Sequence, residues 1–229
     1  MRRKESEFKT IFFSESGTQK INNDYFGYVQ LDNYAIWVIA DGYDGEEGAN
    51  IASKLSVESA IEYFTAHPRF NKEVIKELFK YTNDTIKQKQ EEMERYSLMH
   101  TSLLIVISNY NKILYGNIGN TRLYHIQGGY IVNQSSDDSV SQLLVQERAL
   151  DIKDIKSHRQ RNDLLQAIGD YSKIKPTISN EIKLLEGDKI CLTTRGAWEN
   201  IDEHEIEVEL SKFPERELWI DSIKRKVLG

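Results

Sequence analysis

Apolar residues along this chain switch between two spacings. Over residues 8–14 and 25–41 they form aromatic and β-branched runs, broken by the turn-like Leu31-Asp32-Asn33-Tyr34, which predicts an opening strand and then a hairpin. Asp44-Gly45-Glu46-Glu47-Gly48 then opens a helical stretch, with Ala52, Leu55, Ile61 and Phe64 near helical spacing until His67-Pro68 closes it. A second helix is predicted over 71–95, with Ile75, Leu78, Phe79, Thr82, Ile86 and Met93 on one face and charges opposite. Strand patterning returns at 100–108, 112–118 and 122–127 as an antiparallel meander, and Gly128-Gly129 reads as a hairpin turn. Short helices are predicted at 139–148, 151–157 and 163–168, then a strand pair at 175–180 and 189–194, then a helical tail. Strands in blocks with helices in pairs predict an α+β layered sandwich and not a parallel doubly wound sheet.

The totals narrow the partners. At 229 residues the chain is long enough for one well-buried domain, taken as 1–229. A net charge of -6 disfavours nucleic acid and anionic membrane as partners. No apolar run approaches the roughly 18 residues of a membrane span, so a cytoplasmic location is expected. The single cysteine, Cys191, excludes an internal disulfide; it sits in an apolar strand without a neighbouring base and reads as core filler. His67, His125, His158 and His204 show no paired spacing for zinc.

Two carboxylates stand at strand ends, where a hard divalent cation finds oxygen ligands. Asp24 begins the strand leading to Leu31, and Asp41 ends the apolar run Ala35-Ile36-Trp37-Val38-Ile39-Ala40. Gly42 leaves its carbonyl open to an ion. On spacing alone the same Asp-Gly reads more readily as an ordinary turn than as a metal site.

A series of segments, in order, resembles the metal-dependent type 2C protein phosphatase family. Gly17-Thr18-Gln19-Lys20-Ile21-Asn22-Asn23-Asp24 is similar to its opening motif, and Ala40-Asp41-Gly42-Tyr43-Asp44-Gly45 to its Asp-Gly-x-Gly-Gly loop. His100-Thr101-Ser102 stands for Gly-Thr-Thr, and Gly116-Asn117-Ile118-Gly119-Asn120-Thr121-Arg122 for the Asn-x-Gly-Asp-Ser-Arg loop. Residues 142–148, 157–162 and 167–169 are similar to its helical region, and the run from Gly187 to Trp198 to its Gly-Asp-x-x-Leu-Leu-x-Ser-Asp-Gly-Leu turn. The resemblance implies an α-β-β-α sandwich, two antiparallel sheets flanked by helices, with a two-metal site for phosphoserine and phosphothreonine hydrolysis.

The resemblance also implies roles. Asp41 and Gly42 take the bridging-metal positions and Asp24 that of an outer acid. Arg195 stands where the family has the Asp of Ser-Asp-Gly, a guanidinium in place of an anion. At about 4 Å and an effective dielectric of about 20, each unit-charge pair is worth about 4 kcal/mol, so the exchange works strongly against a cation there. Arg195 is expected either to turn inward and pair with Asp41 or to point into solvent. Gln19 fills the basic phosphate position, with Lys20 beside it as the substitute; Asn23 and Asn120 weaken the site further, and Asp44 adds a carboxylate where glycine is usual. The family's final Asp-Asn segment has no counterpart before Gly229, Asp221 reading as a helix-surface residue, so the domain is either truncated before its last strand or lacks that ligand.

The expectation is a pseudophosphatase: a catalytically impaired domain acting as a binding or regulatory module for a protein partner, a phosphoprotein or a kinase. It needs no cofactor, or at most a single weakly bound Mg2+ or Mn2+. The alternative is a weak Mn2+- or Mg2+-dependent protein serine/threonine phosphatase.

Overall fold

The Leu31-Asp32-Asn33-Tyr34 turn closes the first hairpin, with the Leu31 N–H donating to the Tyr34 carbonyl at 2.7 Å. It joins β1 (Asp24–Gln30) to β2 (Ala35–Gly42) in antiparallel register from Gln30↔Ala35 to Asp24↔Asp41. The structure, a computed structural model, describes residues 7–43, 45, 47–170 and 173–229. Two helices follow, α1 (Ala49–Ala66) and α2 (Lys72–Glu92), the second capped by the Asn71 side chain accepting from Val74 N–H at 2.8 Å.

The first sheet continues with β3 (Thr101–Ser108) and β4 (Lys112–Ile118). Every residue of β3 is buried, because helices cover one face of this sheet and a second sheet covers the other. That explains an unbroken Leu-Leu-Ile-Val-Ile where a half-buried strand would alternate. The second sheet is built on the hairpin β5 (Arg122–Gln127) and β6 (Tyr130–Gln134), turned at Gly128-Gly129. Next come α3 (Val140–Gln146) and a short 3-10 helix at Ile152–Ser157.

Two short strands, β7 (Thr177–Ile178) and β8 (Ile182–Lys183), return to β4, whereas β9 (Lys189–Thr193) pairs with β5. The predicted strand pair at 175–180 and 189–194 is therefore divided between two sheets. The sheet orders are β1-β2-β3-β4-β7, with β8 also on β4, and β6-β5-β9; every pairing is antiparallel. The chain then forms α4 (Arg195–Trp198), α5 (Glu203–Lys212) and α6 (Arg216–Leu228). A reciprocal Asp202–Glu205 cap starts α5.

Three apolar layers hold the sandwich. Ile36, Val38, Leu103 and Ile105 pack on Val57, Phe64, Ile75 and Phe79 of the first helix pair. Leu104, Val106 and Leu123, with Trp37, Ile39, Ile190 and Leu192, fill the space between the sheets. Tyr124 and Ile126 pack on Ile206, Leu210, Trp219 and Ile223 of the second helix pair. The result is the α-β-β-α arrangement expected from the sequence. Among the described residues no helix is long and apolar enough to cross a membrane.

Two predicted elements do not form. Residues 8–14 are not a strand; their aromatic side chains serve as a cover, Phe8 lying edge-on to Trp37 and Phe12 against Phe26, while Thr10 Oγ1 accepts from Trp37 Nε1 at 2.9 Å. Residues 163–168 are extended and not helical. Ile168 exchanges backbone hydrogen bonds with Thr101 at 2.9 and 3.1 Å, and the neighbouring Gly169 is held by Asn83 and Gln90 of α2. The apolar residues here insert singly between elements, which a helical reading of their spacing misses.

Candidate metal centre

Register places the two candidate carboxylates together. Asp24 and Asp41 are cross-strand partners, so their side chains leave the same face of the sheet. Along β2 that face also carries Trp37 and Ile39, which look toward the second sheet. Two like charges directly opposite one another repel, and the arrangement calls for donors or a cation between them. The end of β9 supplies donors: the Thr194 hydroxyl donates a hydrogen bond to Asp24 Oδ2 at 2.6 Å, and the Arg195 N–H donates to Asp41 Oδ2 at 3.2 Å.

The backbone around them is fixed from three sides. Asn22 Oδ1 accepts the Asp24 N–H at 3.0 Å, and the Asn23 carbonyl accepts the Gly42 N–H at 3.0 Å. Asp41 is flanked on β3 by Ser102, whose hydroxyl lies 3.3 Å from the Asp41 N and O atoms. Gly42 is a close-approach position: a Cβ there would lie 2.6 Å from the Ala49 carbonyl carbon and closer still to its oxygen. The start of α1 can therefore abut the residue that follows Asp41.

Behind this turn sits a buried pair. Arg122 grips Asp137 through Nε at 2.8 Å and Nη2 at 2.6 Å, with side chains 6% and 1% exposed. Its guanidinium stacks on Trp198 with Cζ 3.7 Å from the ring centroid, and Trp198 Nε1 donates to the Asn120 carbonyl at 2.8 Å. Burial opposes the charge on Arg122, but the hydrogen bonds and attraction of Asp137 outweigh it and hold the guanidinium charged. The stack anchors α4, and with it Thr194 and Arg195, against the β4–β5 turn.

The remaining sequence candidates fall variously. Lys20 is exposed, and no described contact ties it to either carboxylate. Asn120 is buried, and its carbonyl anchors Trp198. Asp44 lies outside the described residues. Arg195 is half-buried; its described hydrogen bond to Asp41 comes from the main chain, and its guanidinium Nη1 lies 3.8 Å from Glu199 Oε2. Asp221 is exposed on α6. Cys191 packs in the second helix–sheet layer, where burial pushes its thiol up to about 12, so it is protonated at neutral pH. Sequence reasoning missed Thr194, which leaves no local signal, and Glu199, whose one signal is its i,i+4 spacing from Arg195.

A hard cation fits this centre in part. Asp41, the Gly42 carbonyl and Asp24 offer oxygen donors of the type Mg2+ and Mn2+ take, with water completing the shell. Among the described residues, no three carboxylate, imidazole or thiol groups come together as an ion-holding cluster.

The Protein phosphatase 2C family profile matches residues 14–213. The chain belongs to this family. Protein phosphatase PhpP of Streptococcus pneumoniae serotype 2 is 27% identical over 198 residues, covering 84% of this chain and 80% of the relative. Among solved structures, serine/threonine phosphatase Stp1 from Staphylococcus aureus superimposes with a TM-score of 0.85 at 22% identity, covering 100% of this chain and 93% of that one. The catalytic domain of serine/threonine protein phosphatase PstP, solved with two manganese ions, gives a TM-score of 0.79 at 20% identity over 94% and 89% of the two chains. At these identities the structural likeness speaks to the fold; in this chain Asp24 and Asp41 line a cleft together with Thr194 and Arg195.

Proposed function

We propose that this protein phosphatase 2C domain hydrolyses phosphoserine and phosphothreonine monoesters in proteins, weakly, using a single Mn2+ or Mg2+. The observation that carries this reading is the pair of cross-strand carboxylates, Asp24 and Asp41, held by donors from Thr194 and Arg195. The names of its relatives, protein phosphatase and serine/threonine phosphatase, and the manganese ions of PstP support it. They move the balance toward turnover and away from the inert domain that Arg195 alone predicts.

In this reading Asp41 and the Gly42 carbonyl would hold the cation. When bound, it supplies Lewis-acid polarisation of a phosphoryl oxygen. Asp24, oriented by the Thr194 hydroxyl, would take a proton from water as its oxygen bonds phosphorus and pass it to the seryl or threonyl oxygen as that P–O bond breaks. The weakness follows from Arg195, which puts a permanent positive charge where the family resemblance places an anion.

Turnover of p-nitrophenyl phosphate and of a phosphothreonine peptide, measured with and without Mn2+, tests the proposal. Metal-dependent hydrolysis that disappears in Asp41→Ala is expected. Complete inactivity at millimolar Mn2+ rules it out and leaves the second reading, which Arg195 favours: a pseudophosphatase that binds a phosphoprotein or kinase and regulates without turnover.

A further inference from the structure

Two arginines share one carboxylate beside the centre. Glu199, directly after α4, accepts from Arg161 Nε at 2.8 Å through Oε1, while its Oε2 lies 3.8 Å from Arg195 Nη1. Asn162 completes the cluster when its amide is oriented with nitrogen 3.3 Å from Glu199 Oε1 and oxygen 3.2 Å from Arg195 Nη1. Arg161 also donates through Nη1 to the His158 carbonyl at 3.4 Å. The segment carrying Arg161 and Asn162 is thereby fastened to the residue whose N–H holds Asp41.

Exposure in this cluster is uneven. Two guanidinium groups face one carboxylate in the Arg161–Glu199–Arg195 core. The Arg161 and Arg195 side chains are 33% and 23% exposed, against 19% for Glu199. The carboxylate is the more covered partner and fixes the cations from behind. A guanidinium carries five N–H donors in a planar fork, and Arg161 Nη2 takes part in none of the described hydrogen bonds. Forked cations held in place beside a carboxylate centre match the oxygens of a phosphate monoester, which guanidinium binds through paired, charge-assisted hydrogen bonds.

We propose that Arg161 and Arg195, braced by Glu199, form the subsite for the phosphate dianion of a phosphoserine or phosphothreonine peptide. This rests on the reading that the centre meets such substrates, and it supplies the basic group that Gln19 replaces with a neutral amide. The cleft would then recognise phosphate through residues on α4 and on the segment before Asp163, and not through the opening motif.

The test is fluorescence polarisation of a labelled phosphothreonine peptide and its unphosphorylated twin, with all divalent metal chelated by EDTA. The phosphorylated peptide is expected to bind at least about tenfold more tightly, and Arg161→Gln and Arg195→Gln are each expected to weaken it by about tenfold. Lys80→Gln removes an exposed positive charge on α2 and should leave the affinity unchanged. Equal binding of the two peptides, or unaltered affinity in both folded glutamine variants, overturns the proposal. Should a glutamine variant fail to fold, Arg161→Lys decides: it keeps the charge without the fork, so affinity falls at least about threefold if the fork grips phosphate, and unchanged affinity refutes it. Because binding is read without metal, absence of Mn2+-dependent turnover sinks the hydrolytic reading alone. Loss of phosphopeptide selectivity sinks this one.

Discussion

Removing one member of the Arg122–Asp137 pair should cost far more than removing both. Asp137→Asn preserves the shape of the side chain but leaves a 6%-exposed guanidinium without its carboxylate. Breaking a buried pair in this way costs about 3–5 kcal/mol. Glu203, 3.6 Å from Arg122 Nη1, stays as a partial counter-charge, which puts Asp137→Asn near the lower end, about 3 kcal/mol. Arg122→Met strands a 1%-exposed aspartate and also removes the cation from the face of Trp198, so it belongs at the upper end, about 5 kcal/mol. Against a total stability of about 5–15 kcal/mol either loss is severe. The double replacement Arg122→Met with Asp137→Leu leaves no buried charge and should lie within about 1 kcal/mol of wild type. Urea unfolding measures wild type and all three variants; with a slope of about 2 kcal/mol/M the Asp137→Asn midpoint falls by about 1.5 M. An Asp137→Asn cost below about 1 kcal/mol, or a double variant as damaged as the two singles added together, refutes the account.

Further outcomes follow from the same contacts. Gly42→Ala should destabilise the fold by at least about 2 kcal/mol in thermal melts, because its methyl group meets the Ala49 carbonyl, and it should lower any Mn2+ response by moving Asp41. Burial raises the Asp188 carboxyl, but hydrogen bonds from Leu185 N–H, His125 and Gln127 outweigh it and hold the group below its ordinary value. The stability it contributes is therefore full above the usual carboxylate pKa of about 3.9 and is lost as pH falls through the depressed folded value. Asp188→Asn should thus cost about 1–3 kcal/mol near pH 7, with the gap to wild type closing in strong acid, as read by pH-dependent unfolding. Arg195→Asp should strengthen Mn2+ binding and give a thermal shift with Mn2+ larger than in wild type; an identical shift in both chains contradicts the electrostatic role given to Arg195.

Much of this architecture was legible in the chain because its strands and long helices carry strong periods. The α2 face of Ile75, Leu78, Phe79, Thr82 and Ile86 is buried as its spacing predicts, and the run in β3 reads correctly as a strand. Residues 8–14 and 163–168 were misread because apolar residues there cover or bridge other elements, work that leaves no period. The carboxylate pair was visible as two residues at strand ends, but only pairing at Asp24↔Asp41 shows them to be neighbours. Thr194 could not have been found, since its role depends on the second sheet delivering the end of β9 to β1, across 170 residues of sequence. Arg195 shows the limit of substitution by analogy. Its identity predicts electrostatics, whereas its main-chain N–H, which any residue but proline could supply, makes the described bond to Asp41.

The four-residue connection between β1 and β2 lies on the surface, where insertions are ordinarily harmless. Here its length sets the parity of the ladder. Adding or deleting one residue would slide β1 by a step and send Asp24 to the helix-facing side, leaving Asp41 alone with no atom of either carboxylate altered. A surface loop that touches nothing in the cleft is thus among the positions where this chain tolerates a change of length least.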